Sequence, residues 1–370
     1  MNLLSLHEFH AGLNAKFLEL NGMEAVADYG DALTEHAALS ESVGILDLSF
    51  RSRLCLTGAD RQKFLNGQVT HNVKDLKIGE GCYAALITAK GKIQSDLNIY
   101  CLENELLLDF EPGLNEIVAQ RLEKFIIADD TQIVEVSPHY GLLSMQGPKA
   151  AIVLESLELG FSLPQKPMNF SSEKNETLGE LYLMNHPRTG QSGFDFFIPT
   201  PALGVVADKL IAAAKKIGGR PCGWQSLEVA RIEAGLPRYG ADMDETNLPP
   251  EAGLERAVSY TKGCYIGQEV IARIRTYGQV AKALRGLRLA DDLKVLPRKG
   301  DKLFLGEKEI GYITSAVASP RFRANIALGY IRREANKIGT ELTLRTAADE
   351  SSARIVELPF SVGMYIESLG

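Results

Sequence analysis

Cys264 stands in the stretch TKGCYIGQEV, two positions after Lys262 and between Gly263 and Gly267. A helix is expected to begin near Gly267 and to end before Gly278, with Ile266, Val270, Ile271 and Ile274 turned inward. That places the thiol just ahead of a helix N-terminus. The positive helix end and the Lys262 ammonium both favour a thiolate, and Glu269 in the first turn suits the same dipole. Gly263 and Gly267 suit unusual backbone dihedrals or the close approach of a ligand. A thiolate here could serve as nucleophile, redox partner or transient soft-metal ligand. The competing reading is a buried packing thiol. A lone cysteine does not hold a stable cluster, which takes four protein ligands.

The other four cysteines, Cys55, Cys82, Cys101 and Cys222, form no C-x-x-C pair, and the first three sit in apolar, strand-like contexts. They read as small buried hydrophobes, and the odd, dispersed set reads as reduced thiols in a cytoplasmic compartment. The six histidines show no zinc spacing except, loosely, His7 and His10 three apart; they are expected on the surface or at caps, so no metal site is expected. P-loop, G-x-S-x-G and dinucleotide fingerprints are absent.

A second chemical feature is the alternating strand KIQSDLNIY. Ile93, Ser95, Leu97 and Ile99 share one face; Lys92, Gln94, Asp96, Asn98 and Tyr100 share the other. That polar face is either a wet side of a half-buried sheet or the lining of a site for a polar heterocycle. In WQSLEVARIEAGLPRYG a helix from about Ser226 ends at Gly235 as a left-handed cap, and Glu228 can pair with Arg231. Over 262–288 the bases Lys262, Arg273, Arg275, Lys282, Arg285 and Arg288 oppose Glu269 alone. This run is either a solvated face or a contact for an anion, such as a polyglutamate tail or RNA phosphates.

HAALSESVGILDL is a helix leading into a strand, SRLCLTG a strand, and DRQKFLNGQV a helix capped by Asp60. CYAALIT, KIQSDLNIYCL and ELLLDF are consecutive strands joined by hairpins. LNEIVAQRLEKFII and ADKLIAAAKKIGG are amphipathic helices. This mixture without regular βαβ alternation predicts α+β with antiparallel sheets. After about residue 280 helix signals vanish and short strands crowd together, predicting a separate all-β barrel or sandwich. The stretch 155–174, with Pro164 and Pro167, reads as an inter-lobe connection. The chain of 370 residues, 45% hydrophobic and with a net charge of −7, fits a globular protein of two or three domains and argues against a wholly basic nucleic-acid binder. No apolar run approaches the ~20 residues of a membrane span. The start has no basic n-region and carries Glu8, so it is not read as a signal peptide.

KGCYIGQE resembles the K-G-C-[FY]-x-G-Q-E signature of the YgfZ family, folate-binding proteins linked to iron–sulfur cluster maintenance and tRNA modification. The stretches EHAALSESVGILDLS, SMQGPKA, TGQSGFDFFIP, ARIEAGLPRYGADMDE, PEAGLERAV and GYITSAVASP are similar to the related T-protein of the glycine cleavage system, an aminomethyltransferase. The resemblance implies a two-lobed folate-binding body over 1–280 and a C-terminal β-barrel over 281–370. It implies tetrahydrofolate or a derivative as cofactor, with Tyr83, Asp96, Asp195 and Arg231 as binding residues. Asp96 and Cys264 are then the catalytic candidates, within a motif of Lys262, Gly263, Cys264, Tyr265, Gly267, Gln268 and Glu269. A buried carboxylate such as Asp195 can match the donors along one pterin edge bidentately.

The chain departs from the T-protein pattern at three places. Ser95 stands where the first of two aspartates would be. Leu227 and Glu228 replace an Arg-Asp pair, and Arg188 replaces a tyrosine ahead of T-G. The expectation is therefore a cytoplasmic, monomeric, folate-binding accessory protein for iron–sulfur clients. The alternatives are a folate-dependent aminomethyltransferase and a tRNA-interacting factor using the basic run.

Overall fold

The computed structural model describes residues 1–347 and 349–361. The chain forms two compact units. The first comprises Met1–Ile87, Gln94–Leu227 and Arg256–Ile266; the second comprises Thr88–Ile93, Glu228–Glu255 and the residues from Gly267 onward. The barrel strands all follow residue 280, as the change of texture indicates, but the second unit also draws in 88–93 and 228–255.

Two sheets give the first unit its two lobes. One is five-stranded, in the order Gly81–Ile87, Ile93–Cys101, Leu106–Phe110, Ser52–Thr57, Gln132–Glu135. Its apolar face is built by period-2 alternation: Leu54, Leu56, Leu97, Ile99, Leu106 and Leu108 bury against Phe64 and Leu65 of the helix Arg61–Gln68 and Val118 and Leu122 of the helix Asn115–Glu123. Each such side chain contributes roughly 1.5–3 kcal/mol. The hairpin after Ile87 turns at Gly91, whose φ of 76° is open to glycine at no steric cost.

The other sheet has six strands, in the order Phe170–Asn175, Gly179–Asn185, Gly193–Pro199, Tyr140–Gln146, Gly44–Asp47, Arg220–Pro221. The helix Leu203–Lys215 lays Leu203, Val206, Leu210, Ile211 and Ala214 against Phe194, Phe196 and Ile198 at helical spacing. The stretch 155–174 is not an inter-lobe connection. It runs from the helix Ala150–Glu155 to the edge strand Phe170–Asn175 of the same sheet, and Leu157, Leu159, Phe161 and Leu163 pack on that sheet's core. Prolines had suggested a linker, but the leucine and phenylalanine side chains tie the segment down.

In the second unit Lys282–Leu289, Ala324–Arg332, Lys308–Ser319, Lys302–Leu305, Glu341–Arg345 and Glu350–Val356 close into a barrel. Leu287, Leu303, Ile313, Ile331, Leu344 and Ile355 fill its core. The protein is thus α+β: a two-lobed body with antiparallel sheets, and a closed β-barrel. No helix of the described residues is long and apolar enough to cross a membrane.

Candidate functional site

The polar face of Ile93–Cys101 is not simply wet. Gln94 Oε1 accepts from Arg121 Nε at 2.9 Å, and Asp96 Oδ2 accepts from the Tyr83 hydroxyl at 2.8 Å. Asn98 Nδ2 donates to Asp109 at 3.0 Å, and the Tyr100 hydroxyl lies 3.1 Å from His186 Nδ1. Because alternate residues project the same way, one strand sets a row of polar groups against a buried ionic cluster. Ser95, on the opposite face, is fully buried and its hydroxyl donates to the Asp96 carbonyl at 3.2 Å.

The cluster joins both lobes of the first unit. Asp109, on Leu106–Phe110, accepts from Arg51 Nε at 2.9 and 3.1 Å, and Arg51 Nη1 also donates to Glu111 at 2.9 Å. Arg188 Nη2 reaches Asp109 at 3.1 Å from the other lobe. Burial pushes the Asp109 carboxyl up, but Arg51 and Arg188 outweigh it and leave it at about 2. Asp195, on Gly193–Pro199, is more heavily engaged. Its Oδ1 accepts from Ser144 Oγ at 2.7 Å and from Arg188 Nε at 3.0 Å. Its Oδ2 accepts from Arg188 Nη2 at 2.6 Å, with His186 Nδ1 at 3.0 Å. Burial raises this carboxyl too, yet Arg188 and His186 drive it well below the usual carboxylate range. Burial and the neighbouring Arg188 lower the His186 imidazole.

Asp96 is the exception. Asp109, Glu111 and Asp195 each have an arginine; Asp96 has the Tyr83 hydroxyl on Oδ2, while its Oδ1 is shielded from solvent and has no hydrogen-bond partner. Burial and the nearby Glu111 raise its carboxyl, only partly offset by Tyr83 and Arg51. The Arg256 guanidinium lies over the Tyr83 ring, 4.8 Å from its centroid. An unsatisfied buried oxygen is costly unless a ligand completes it. This arrangement can accept an N–H from a bound heterocycle, or hold and move a proton at Oδ1. Asp96 and Tyr83 thus leave one buried acceptor open at Oδ1. Asp195, by contrast, has its acceptor positions filled from within the protein.

The structure brings Tyr83, Asp96 and Asp195 into one unit but binds Asp195 internally. Arg231 belongs to the second unit. It pairs with Glu228 at 2.8 Å and with Asp242, and its Nη2 donates to Ser315 at 3.0 Å. The helix Trp224–Glu233 ends as expected, with Gly235 at φ 68°.

Cys55, Cys82, Cys101 and Cys222 are buried and Cys264 is exposed. Burial raises all four buried thiols, Cys82 to about 12. Lys262 does something other than face the thiol. Its ammonium is buried and donates to the carbonyls of Asn66, Val69 and His71 at 2.6, 2.8 and 2.7 Å, so all three donors are taken. These carbonyls lie at and beyond the C-terminal end of Arg61–Gln68, a position that favours a cation. Burial pulls the ammonium down to about 8, while the three acceptors favour its charged form. The helix Gln268–Tyr277 begins after Gly267, whose φ of 81° is left-handed; Gly263 has no atom near its missing Cβ and no positive φ. Glu269 pairs with Arg273 at 2.7 Å, and Tyr265 is buried, with the Lys262 ammonium 5.0 Å from its ring centroid. Gln268 opens the helix.

Sequence reasoning missed Arg51, Asp109, Glu111, His186 and Arg256. One signal was available: a charged Asp109 inside the apolar strand LLLDF implies a buried partner. Contrary to the surface reading, His10, His36 and His186 are buried or half-buried, and His10 bridges Asp47 at 2.9 Å and the Tyr29 hydroxyl at 2.8 Å. Among the described residues no group of three or more His, Cys, Asp or Glu side chains is arranged to hold a metal ion.

The profile of the GCVT N-terminal domain matches residues 6–262, and that of the glycine cleavage T-protein C-terminal barrel domain matches residues 282–361. An aminomethyltransferase of Symbiobacterium thermophilum is 30% identical over 364 residues, covering 96% of each chain. One of Halalkalibacterium halodurans is 29% identical over 97% of this chain and 96% of its own. The crystal structure of glycine cleavage system aminomethyltransferase T from Bartonella henselae superposes with a TM-score of 0.88 at 25% identity, covering 98% of both chains. These matches run through both lobes and the barrel, and the chain belongs to the glycine cleavage T-protein family.

Proposed function

We propose that this protein binds a reduced folate through Asp96 and Tyr83 and uses it in one-carbon transfer of the aminomethyl type. The observation that carries this reading is Asp96 Oδ1, a shielded acceptor with no protein partner in an otherwise satisfied cluster. Tetrahydrofolate when bound supplies the nitrogen that carries the one-carbon unit; Asp96 accepts or returns a proton at Oδ1, and Tyr83 fixes its other oxygen. Relatives named as aminomethyltransferases along their whole length favour this over the accessory role expected from the cysteine motif.

A second reading is favoured by one observation: Cys264 is the exposed thiol of five. It is the YgfZ-type role, a cytoplasmic, monomeric folate-binding accessory of iron–sulfur proteins, with tRNA meeting the run 262–288. Both readings keep a folate-binding body over 1–280 and a barrel over 281–370. The discriminating experiment assays methylene-tetrahydrofolate formation from an aminomethylated carrier protein, using wild type, Asp96→Asn and Cys264→Ser. The transferase reading expects turnover that Asp96→Asn abolishes and Cys264→Ser leaves unchanged. No turnover by wild type, together with iron–sulfur enzyme defects that only a Cys264-containing copy rescues, would reverse the ranking.

A further inference from the structure

Arg188 belongs to the loop between Gly179–Asn185 and Gly193–Pro199, not to a strand. It presents two parallel N–H donors, Nε and Nη2, to Asp195 at 3.0 and 2.6 Å. A 2-amino-4-oxopteridine presents the same pattern, a ring N–H beside an exocyclic amino group. We propose that Arg188 is an internal occupant of the Asp195 carboxylate and sets ligand specificity by competing there with the amidine edge of a pterin. This rests on the folate reading above.

Three features support an occupant that can be exchanged rather than a fixed strut. Arg188 lies outside the ladder of its two flanking strands: its N–H donates to Gln146 Oε1 at 2.9 Å and to the His186 carbonyl at 3.0 Å, and neither bond belongs to the strand pairing. Asp109, the second carboxylate on Arg188, keeps Arg51 and Asn98 if the guanidinium leaves. Ser144, on a separate strand, keeps its bond to Asp195 when Arg188 leaves, and His186 is held at the strand end by Gly193 and Gln146, so a pterin would replace one bidentate donor with another. Such an exchange gains little net free energy. The site in its resting form therefore favours ligands that are held at Asp96 and make no demand on Asp195.

The test is calorimetric titration with tetrahydrofolate, and with p-aminobenzoylglutamate as a ligand that lacks the pterin. The proteins are wild type, Arg188→Ala, Arg188→Gln and Arg188→Ala/Asp195→Asn. The expected result is at least tenfold tighter tetrahydrofolate binding by Arg188→Ala. The gain should be absent for p-aminobenzoylglutamate and lost in the double variant. Arg188→Gln, which keeps one donor and limits the loss of stability, should show a smaller gain and decides the matter if Arg188→Ala does not fold. Wild-type binding that either single variant leaves equal or weaker would overturn the proposal while leaving the folate reading intact. No binding by any of the proteins at millimolar tetrahydrofolate would remove both.

Discussion

At the scale of the residue, Asp96 is a carboxylate that the fold leaves unfinished. Placing it among buried groups without an arginine costs stability, and that cost marks a position kept for something other than folding. Asp96→Asn should therefore leave the melting temperature unchanged or raise it, by on the order of 1 kcal/mol or less in stability. Asp195 should behave in the opposite way. Asp195→Asn breaks a buried bidentate pair and leaves Arg188 with Asp109 as its carboxylate partner, a change expected to cost on the order of 1.5–3 kcal/mol, readable by urea denaturation. The same pair dictates a pH response. Asp109 and Asp195 have carboxyls depressed in the folded state, so their stabilising contribution is present above the ordinary aspartate range near ~3.9 and is lost as pH falls through the folded values. With Asp109 at about 2, melting temperature should fall steeply between about pH 4 and pH 2. Asp109→Asn, though less stable throughout, should flatten that slope.

At the scale of the element, the cysteine loop is organised by its flanks. Lys262 caps the end of Arg61–Gln68, and Gly267 starts Gln268–Tyr277 in a left-handed conformation. Lys262→Met removes three charge-assisted hydrogen bonds and leaves shielded carbonyls, and is expected to cost about 2–3 kcal/mol. Gly267→Ala should cost about 1 kcal/mol through its positive φ, whereas Gly263→Ala should be nearly neutral. Chemical denaturation of the three variants checks the order. Cys264 should alkylate with iodoacetamide at neutral pH faster than the four buried thiols, followed by mass spectrometry of labelled peptides. Labelling no faster than Cys82 would contradict the exposed loop.

Across the whole molecule, the sequence made the elements legible because their periodicities were clean. The strand alternation of KIQSDLNIY, the cap at Gly235 and the short-strand texture after residue 280 each follow from local rules. What it concealed was long-range pairing. Nothing local to Arg188 says that its guanidinium meets Asp195 on the next strand and Asp109 across the unit. Nothing local to Lys262 says that its ammonium serves a helix end almost two hundred positions earlier in the chain. Proline content misplaced 155–174 for the same reason, since the core that holds it is assembled from distant strands.

On the reading proposed above, Asp96 is the group that a reduced folate completes. The most direct measurement is calorimetric titration of wild type and Asp96→Asn with tetrahydrofolate, with the melting temperature of each protein recorded in parallel. Wild type should bind in the micromolar range, about −8 kcal/mol. An Asp96→Asn protein should bind at least tenfold more weakly while melting no lower than wild type. No heat from wild type at millimolar tetrahydrofolate, or equal affinity in the two proteins, would contradict that reading.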